Sequence, residues 1–382
     1  MVKPKKIILC GGGTGGHIFP MLAIAEEFKK RNSNNRILFV GSSDRMEMEI
    51  VPKYNYPIYG LWISGIKRSS MLLNILFVGL PFILKNILIP FKVSYSILKS
   101  LYILFRHRPD FVIGFGGYSS GPFLLTSNFL NFKTAIQEQN SYPGLTNKML
   151  SGKVKYIFTA YENLTDSFKK NIVFNYGNPV RNLNLNSNKN PYEYFGLDSS
   201  KKTILVLGGS LGAKSINEGI LNNISLIRES SYQVIWQTGK FYYKNILSKK
   251  IKDKKIIIKD FINRMDLAYN ASDIIISRAG AIAISELCII SKPLILVPSP
   301  NVVDDHQTKN AKAIFEKGGC VLIKDSDAKS IMLKTAFDLF ENQSKMNNMK
   351  KSLSKLASPD ASQKIVNKIY EIIWLIKLKM EL

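Results

Sequence analysis

Ile7-Ile8-Leu9-Cys10-Gly11-Gly12-Gly13-Thr14-Gly15-Gly16-His17 is the stretch whose reading decides the fold. The four apolar residues read as a short buried strand. From Met21 to Phe28 the pattern (Leu22, Ala25, Glu26, Phe28) reads as a helix. The glycines between them let the backbone turn sharply and approach a ligand with no Cβ in the way. Strand, glycine turn and helix start make a seat for an anion or polar group, because unpaired N–H groups and the positive dipole end point into the turn. A tight turn with no ligand is the bland alternative, and the G-x-G-x-x-G match of Gly11, Gly13 and Gly16 alone does not exclude it. His17 adds a general base for near-neutral pH at the mouth of that turn.

Outward from this stretch, 382 residues exceed one ordinary core and imply two domains. Cys10, Cys288 and Cys320 stand far apart, with no C-x-x-C, and read as buried reduced thiols rather than a metal site. After Lys5-Lys6 the apolar run is too short for a secretory signal. A net charge of +25 implies an anionic partner: nucleic acid, a phosphorylated substrate or a membrane surface.

A second strand, Arg36 to Gly41, ends without the acidic residue that a dinucleotide ribose requires, which argues against NAD. From Ile50 to Pro109 there is no Asp or Glu, whereas eight Lys and Arg fall there. Met71 to Pro90 is strongly apolar but is interrupted by Asn74, Pro81 and Lys85, so it reads as a monotopic patch rather than a span. Its centre is Ile75, Leu76, Phe77, Leu80 and Phe82, with Lys85 on its rim; a buried helix pair is the alternative. Val93, Ile97, Leu101 and Leu104 then suggest a core-facing helix. Strands at Asp110–Gly114 and Thr134–Gln137 run into Phe115-Gly116-Gly117-Tyr118 and Glu138-Gln139-Asn140. Apolar strand bodies with polar ends describe a doubly wound parallel sheet with its site at one edge.

The Asn-rich stretch opening at Asn178-Pro179-Val180-Arg181 reads as a domain boundary. The second half begins with a strand at Thr203–Leu207 and the turn Gly208-Gly209-Ser210-Leu211-Gly212-Ala213. Further βα units follow at Gln233–Gln237, Lys255–Phe261, Asp273–Ser277 and Pro293–Val297. The tail is an amphipathic helix. The expected division is 1–178, 179–358 and a helix over 359–382.

Two Rossmann-like halves facing a cleft describe the GT-B fold of nucleotide-sugar glycosyltransferases. The motif set resembles the MurG family, the UDP-GlcNAc:lipid I N-acetylglucosaminyltransferases of peptidoglycan synthesis. The resemblance rests on Gly11 to Pro20, Gly114 to Tyr118, Glu138-Gln139-Asn140, Asn178 to Arg181, Gly208-Gly209-Ser210, Ser277 to Ala281 with Glu286, and Asp305-His306-Gln307, in the family's order. It implies inverting transfer of GlcNAc from UDP-GlcNAc to the C4 hydroxyl of MurNAc on undecaprenyl-diphosphate-MurNAc-pentapeptide. His17 would be the base, with Glu138 and Asn140 as orienters. Glu286 would accept the ribose hydroxyls, and Ser210, at a helix N-terminus, would hold the diphosphate. Arg181 would neutralise the leaving UDP. Ile262 would meet uracil through its backbone, and Ala281, Ile282, Ala283, Ile284 and Ser285 would line that pocket. Gln307 would bind sugar hydroxyls. Thr14, Gly15, Gly16 and Asn140 would complete the donor and acceptor site, while Gly116, Gly117 and Tyr118 would lie on the acceptor side.

No metal or other cofactor is implied. Asp325-Ser326-Asp327 matches a metal-holding D-x-D, but N-capping by Asp327 is the stronger reading. The implied partners are the donor, the polyprenyl-linked acceptor, an anionic membrane surface and other cell-wall synthesis proteins, with no nucleic acid. The implied location is peripheral, on the cytoplasmic face of the plasma membrane. Three rivals stay open: a GT-B enzyme acting on another lipid acceptor, an NAD-dependent oxidoreductase, and a non-catalytic adaptor. Ala283, Leu211 and His306 depart from residues common in the family, so their side-chain contacts are in doubt.

Overall fold

The computed structural model describes residues 3–65, 87–168 and 170–381. It divides into two compact units, Met1–Arg181 with Asp360–Leu382, and Asn182–Pro359.

The first unit is built on seven strands: β1 (Lys6–Cys10), β2 (Arg36–Ser42), β3 (Ile58–Leu61), β4 (Phe111–Gly114), β5 (Thr134–Glu138), β6 (Tyr156–Thr159) and β7 (Ile172–Asn175). They form one parallel sheet in the order β3-β2-β1-β4-β5-β6-β7. Leu9 lies in register between Phe39 and Ile113, and all three are fully buried. A central parallel strand is covered on both faces, which is why β1 is apolar at successive positions rather than alternately. Ile7 and Leu9 pack on one side with Ile24 and Phe28 of α1 (Gly15–Arg31). Ile8 and Cys10 pack on the other, with Ile103 and Leu104 of α2 (Ile89–His107) and Phe123 of α3 (Ser120–Phe129). A shorter helix, α4 (Leu145–Ser151), follows β5.

The second unit carries β8 (Thr203–Leu207), β9 (Gln233–Gln237), β10 (Ile256–Lys259), β11 (Ile274–Ser277), β12 (Leu294–Leu296) and β13 (Val321–Leu322). Their order is β10-β9-β8-β11-β12-β13, again all parallel. Its helices include α5 (Lys214–Leu221), α6 (Ala281–Ile290), α7 (His306–Phe315) and α8 (Ala328–Phe340). In both sheets the winding direction reverses next to the first strand, between β1 and β4 and between β8 and β11. Such switch points leave a crevice at the carboxyl ends of the strands.

β3, β6 and β7 escape the sequence reading. Each is four residues long, β3 contains Gly60, and β7 is a partly exposed edge, so none shows a sustained apolar pattern. Ile75, Leu76, Phe77, Leu80, Phe82 and Lys85, named for the membrane patch, lie outside the described residues. α2 differs from its expected form. Ser96, Ser100, Ile103 and Leu104 are its buried positions, while Val93, Ile97 and Leu101 are only partly covered. Its other face shows Phe91, Tyr95, Leu98, Tyr102 and Phe105 to solvent.

The tail helix α9 (Ala361–Glu381) belongs to the first unit. Ile365, Val366, Ile369, Ile372 and Ile373 join the core that α1 faces. Asn35 Nδ2 donates to the Tyr370 hydroxyl at 2.8 Å, and Arg31 donates to Asn367. Without α9 the outer surface of α1 would be bare. Ile369→Ala, at a fully buried position, should lower the stability of the first unit by about 2–5 kcal/mol in denaturant unfolding. A change below 0.5 kcal/mol would mean that α9 contributes little to this core.

Candidate functional site

In the first unit the site residues gather at the carboxyl ends of β1, β4 and β5. The turn after β1 passes through Gly12 (φ +154°) and Gly13 (φ +85°) before α1 starts, with Thr14 as its extended N-cap. His17, in the first turn of α1, folds back so that Nδ1 lies 2.7 Å from the Gly12 carbonyl oxygen. A carbonyl can only accept, so Nδ1 carries the proton and Nε2 is the basic nitrogen of the neutral ring. The Thr14 hydroxyl is 3.4 Å from Nδ1. Nε2 faces the turn after β4: a Cβ built on Gly116 would stand 3.0 Å from it.

The two turns touch. Gly117 has φ +81°, and a Cβ there would lie 2.5 Å from the Gly12 carbonyl oxygen. Ser120 Oγ fixes the contact by bonding the carbonyls of Cys10 and Gly116, at 2.9 and 2.8 Å. The half-exposed Tyr118 covers Gly65, where any Cβ would meet its ring.

Glu138, at the end of β5, is buried, and its two oxygens accept four N–H bonds. Oε1 takes the Asn140 backbone and side-chain N–H at 3.0 and 3.2 Å. Oε2 takes Gly144 N at 3.0 Å and Asn147 Nδ2 at 2.8 Å. This carboxylate shapes the turn into α4 and aims Asn140. Asn178 is tied to β5 by a bond from Gln137 Nε2 (2.9 Å) and one to the Gln139 carbonyl (3.0 Å). Arg181 is exposed three residues later, at the end of the first unit.

In the second unit a cavity of about 670 Å³ opens at the β8–β11 switch point, lined among others by Ser210, Leu211, Ser215, Arg278, Gln307 and Asp325. Ser210 is not at a helix N-terminus. The turn continues through Gly212 (φ +93°), Ala213 is the N-cap, and α5 begins at Lys214. Ser210 is instead exposed on a glycine loop. Gln307 Oε1 accepts from Ala279 N (3.2 Å) and Ser299 N (2.9 Å), which fixes the orientation of its amide. Asp327 does not cap α8 with its side chain, contrary to expectation. Asp325 pairs with Arg278 and accepts from Ser215, and Arg278 also bonds the carbonyls of Val297 and Pro298.

Glu286, Ile262 and residues 281–285 lie outside the lining of that cavity. Gly280 precedes α6 with no side-chain cap, so the first N–H groups of this ten-residue helix are presented by Ala281, Ile282 and Ala283. Ile284 points into the core, and Ser285 Oγ bonds back to the Ala281 carbonyl. Glu286 is half-buried and accepts from the Tyr269 hydroxyl at 3.3 Å. The N–H of Ile262 is given to Gln237 Oε1 at 3.0 Å. Cys10, Cys288 and Cys320 are free and buried, and burial pushes each thiol up to about 12, which removes thiolate chemistry.

Two residues of the first site have no signature in the sequence. Asn147 is buried beside Glu138, and Glu47 is buried beneath the glycine turn. Both are recruited by tertiary contact.

Residues 7–159 match the glycosyltransferase family 28 N-terminal domain, and residues 203–365 match the family 28 C-terminal domain. A Flavobacterium psychrophilum protein named UDP-N-acetylglucosamine–N-acetylmuramyl-(pentapeptide) pyrophosphoryl-undecaprenol N-acetylglucosamine transferase is 46% identical, covering 96% of this chain and 98% of its own. The same name belongs to a Christiangramia forsetii protein, 45% identical over 98% of this chain and 99% of its own. The chain belongs to the MurG family. The crystal structure of Acinetobacter baumannii MurG superposes with a TM-score of 0.73 at 28% identity, covering 96% of this chain and all of that one. The S. aureus MnaA–UDP co-structure, at 15% identity and a TM-score of 0.67, shares the fold alone. The fold is GT-B, two Rossmann-like domains, and the MurG-family signature coincides with the strand-end turns just described.

The Gly12–Gly117 contact makes one outcome specific. Gly117→Ala should cost about 1–3 kcal/mol in stability, since it combines a positive φ with a clash against backbone. It should also abolish turnover while calorimetric UDP affinity, a property expected of the second unit, is retained. Wild-type turnover would show that the two turns need not touch.

Proposed function

We propose that this MurG-family chain transfers GlcNAc from UDP-GlcNAc to the C4 hydroxyl of MurNAc in undecaprenyl-diphosphate-MurNAc-pentapeptide, forming lipid II. The observation that carries the mechanism is the placement of His17. Its Nδ1 proton is committed to the Gly12 carbonyl, so Nε2 faces the β4 turn as the proton acceptor. Nε2 takes the proton of the acceptor hydroxyl as that oxygen attacks the anomeric carbon and UDP leaves, which inverts the configuration. Asn140, held by Glu138, and Gly116, Gly117 and Tyr118 position the acceptor sugar. Thr14, Gly15 and Gly16 contribute the start of α1 to the same edge.

In the second unit Glu286 would accept the ribose hydroxyls. The Ile262 carbonyl and the residues from Ala281 to Ser285 would meet the nucleoside. The glycine loop at Ser210 would hold the diphosphate, and the Gln307 amide would serve the sugar. Arg181 would neutralise charge on the leaving group. No metal is assigned: Asp325, the first acid of the D-x-D match, is already engaged by Arg278 and Ser215.

A polyprenyl acceptor confines the reaction to a bilayer surface, and α2 supports docking on an anionic one. Phe91, Tyr95, Leu98, Tyr102 and Phe105 recur at spacings of three and four and so form one exposed face. Lys92 and Lys99 lie over the rings of Trp62 and Tyr95, in a stretch without any acid. Apolar insertion framed by basic residues is the signature of peripheral binding. No helix among the described residues is long and apolar enough to cross a membrane. Peripheral attachment at the cytoplasmic face, and contacts with other cell-wall proteins, complete this reading.

Two variants separate the roles. His17→Ala should cost ~10²–10⁴-fold in turnover with UDP affinity unchanged. Glu286→Ala should weaken UDP binding by ~1.5–3 kcal/mol. Full turnover by the first, or unchanged calorimetry for the second, would remove that assignment. The triple change Phe91→Ser, Leu98→Ser and Phe105→Ser should release the protein from phosphatidylglycerol vesicles in flotation. Undiminished flotation would mean that α2 does not hold the bilayer.

A further inference from the structure

Glu47 is the most deeply buried acid of the first unit, with no solvent exposure, although it opens only a short helical turn (Glu47–Ile50). Its side chain fills the space that two glycines leave. A Cβ on Gly12 would lie 2.0 Å from Oε1, and one on Gly41 would lie 2.4 Å from Cγ. Oε1 accepts from Ser42 N and Oε2 from Gly13 N, each at 2.8 Å. A buried carboxylate is costly to place, and a fold that keeps one spends its hydrogen bonds on something specific.

The peptide group between Gly12 and Gly13 shows what that is. Its N–H donates to Glu47, and its carbonyl accepts from His17 Nδ1 at 2.7 Å. In a trans peptide these groups point to opposite sides, so one planar unit stands between the carboxylate and the imidazole. We propose that Glu47 is a positioning residue for the base, acting through the Gly12–Gly13 peptide as a carboxylate–peptide–imidazole relay. The carboxylate polarises the peptide and strengthens its carbonyl as an acceptor, because hydrogen bonds in series reinforce one another. The carbonyl then holds the proton on Nδ1, keeps Nε2 as the acceptor nitrogen, and stabilises the imidazolium formed when Nε2 takes the acceptor proton. No bond other than that proton transfer changes, and Glu47 itself gains no proton. The other carboxylate at this edge, Glu138, is occupied by Asn140, Gly144 and Asn147. The relay rests on the reading of His17 as the base.

Nitrogen-15 NMR of the full chain tests it, with the three histidines assigned by single substitutions. In the unmodified protein, neutral His17 should show a protonated Nδ1 and a pyridine-type Nε2. In Glu47→Gln, whose amide cannot accept from both Ser42 and Gly13, the Nε2–H tautomer should rise several-fold. Turnover should fall ~10–100-fold, the range typical when the group that orients a metal-bound histidine is removed, with the calorimetric Kd for UDP unchanged. A dominant Nε2–H tautomer in the unmodified chain overturns the relay, and this holds even if Glu47→Gln fails to fold. An unaltered tautomer ratio in folded Glu47→Gln overturns it as well. If His17→Ala retains turnover, the base assignment fails instead, and that result is independent of the NMR spectrum.

Discussion

The contact between the backbones of Gly12 and Gly117 is the constraint on which the first domain's chemistry depends. Two strand-end turns meet at the switch point between β1 and β4, with no room for a Cβ between them. Only that closeness lets an imidazole on α1 bond the carbonyl of one turn while its other nitrogen faces the second. The glycines therefore serve geometry more than flexibility. They remove side chains where two loops and an imidazole must share a few ångströms.

Around this contact, buried carboxylates organise loops. Glu138 orders the turn that carries Asn140, and Glu47 braces the glycine turn. The physical reason is common to both. A loop that must present its backbone to a ligand leaves N–H groups unpaired, and a carboxylate can satisfy two or more of them at once.

α2 and α9 show how one pattern serves two ends. Both carry an apolar face at helical spacing. That of α9 is covered by the core beneath α1, whereas the aromatic face of α2 stays exposed and its inner face is closed by Ser96 and Ser100. Small residues let α2 lie close to the sheet, so its large side chains are free to face outward. Periodicity reports that a face is apolar, not what covers it.

The sequence by itself determined the class of fold, the order of the βα units it marked and the family. Those properties are local: runs of apolar residues, glycines at strand ends, and motifs contiguous in the chain. It also marked His17, Glu286 and Gln307, which sit within such motifs. It placed Ser210 at a helix start and gave Asp327 a capping role. Both changed: the helix begins at Lys214, beyond Ser210, and the Asp327 side chain makes no capping bond. Glu47 and Asn147 were invisible, since nothing in their neighbours along the chain distinguishes them. Only the tertiary structure decides such residues, because a buried polar atom is defined by the groups that close around it, and those come from distant parts of the chain.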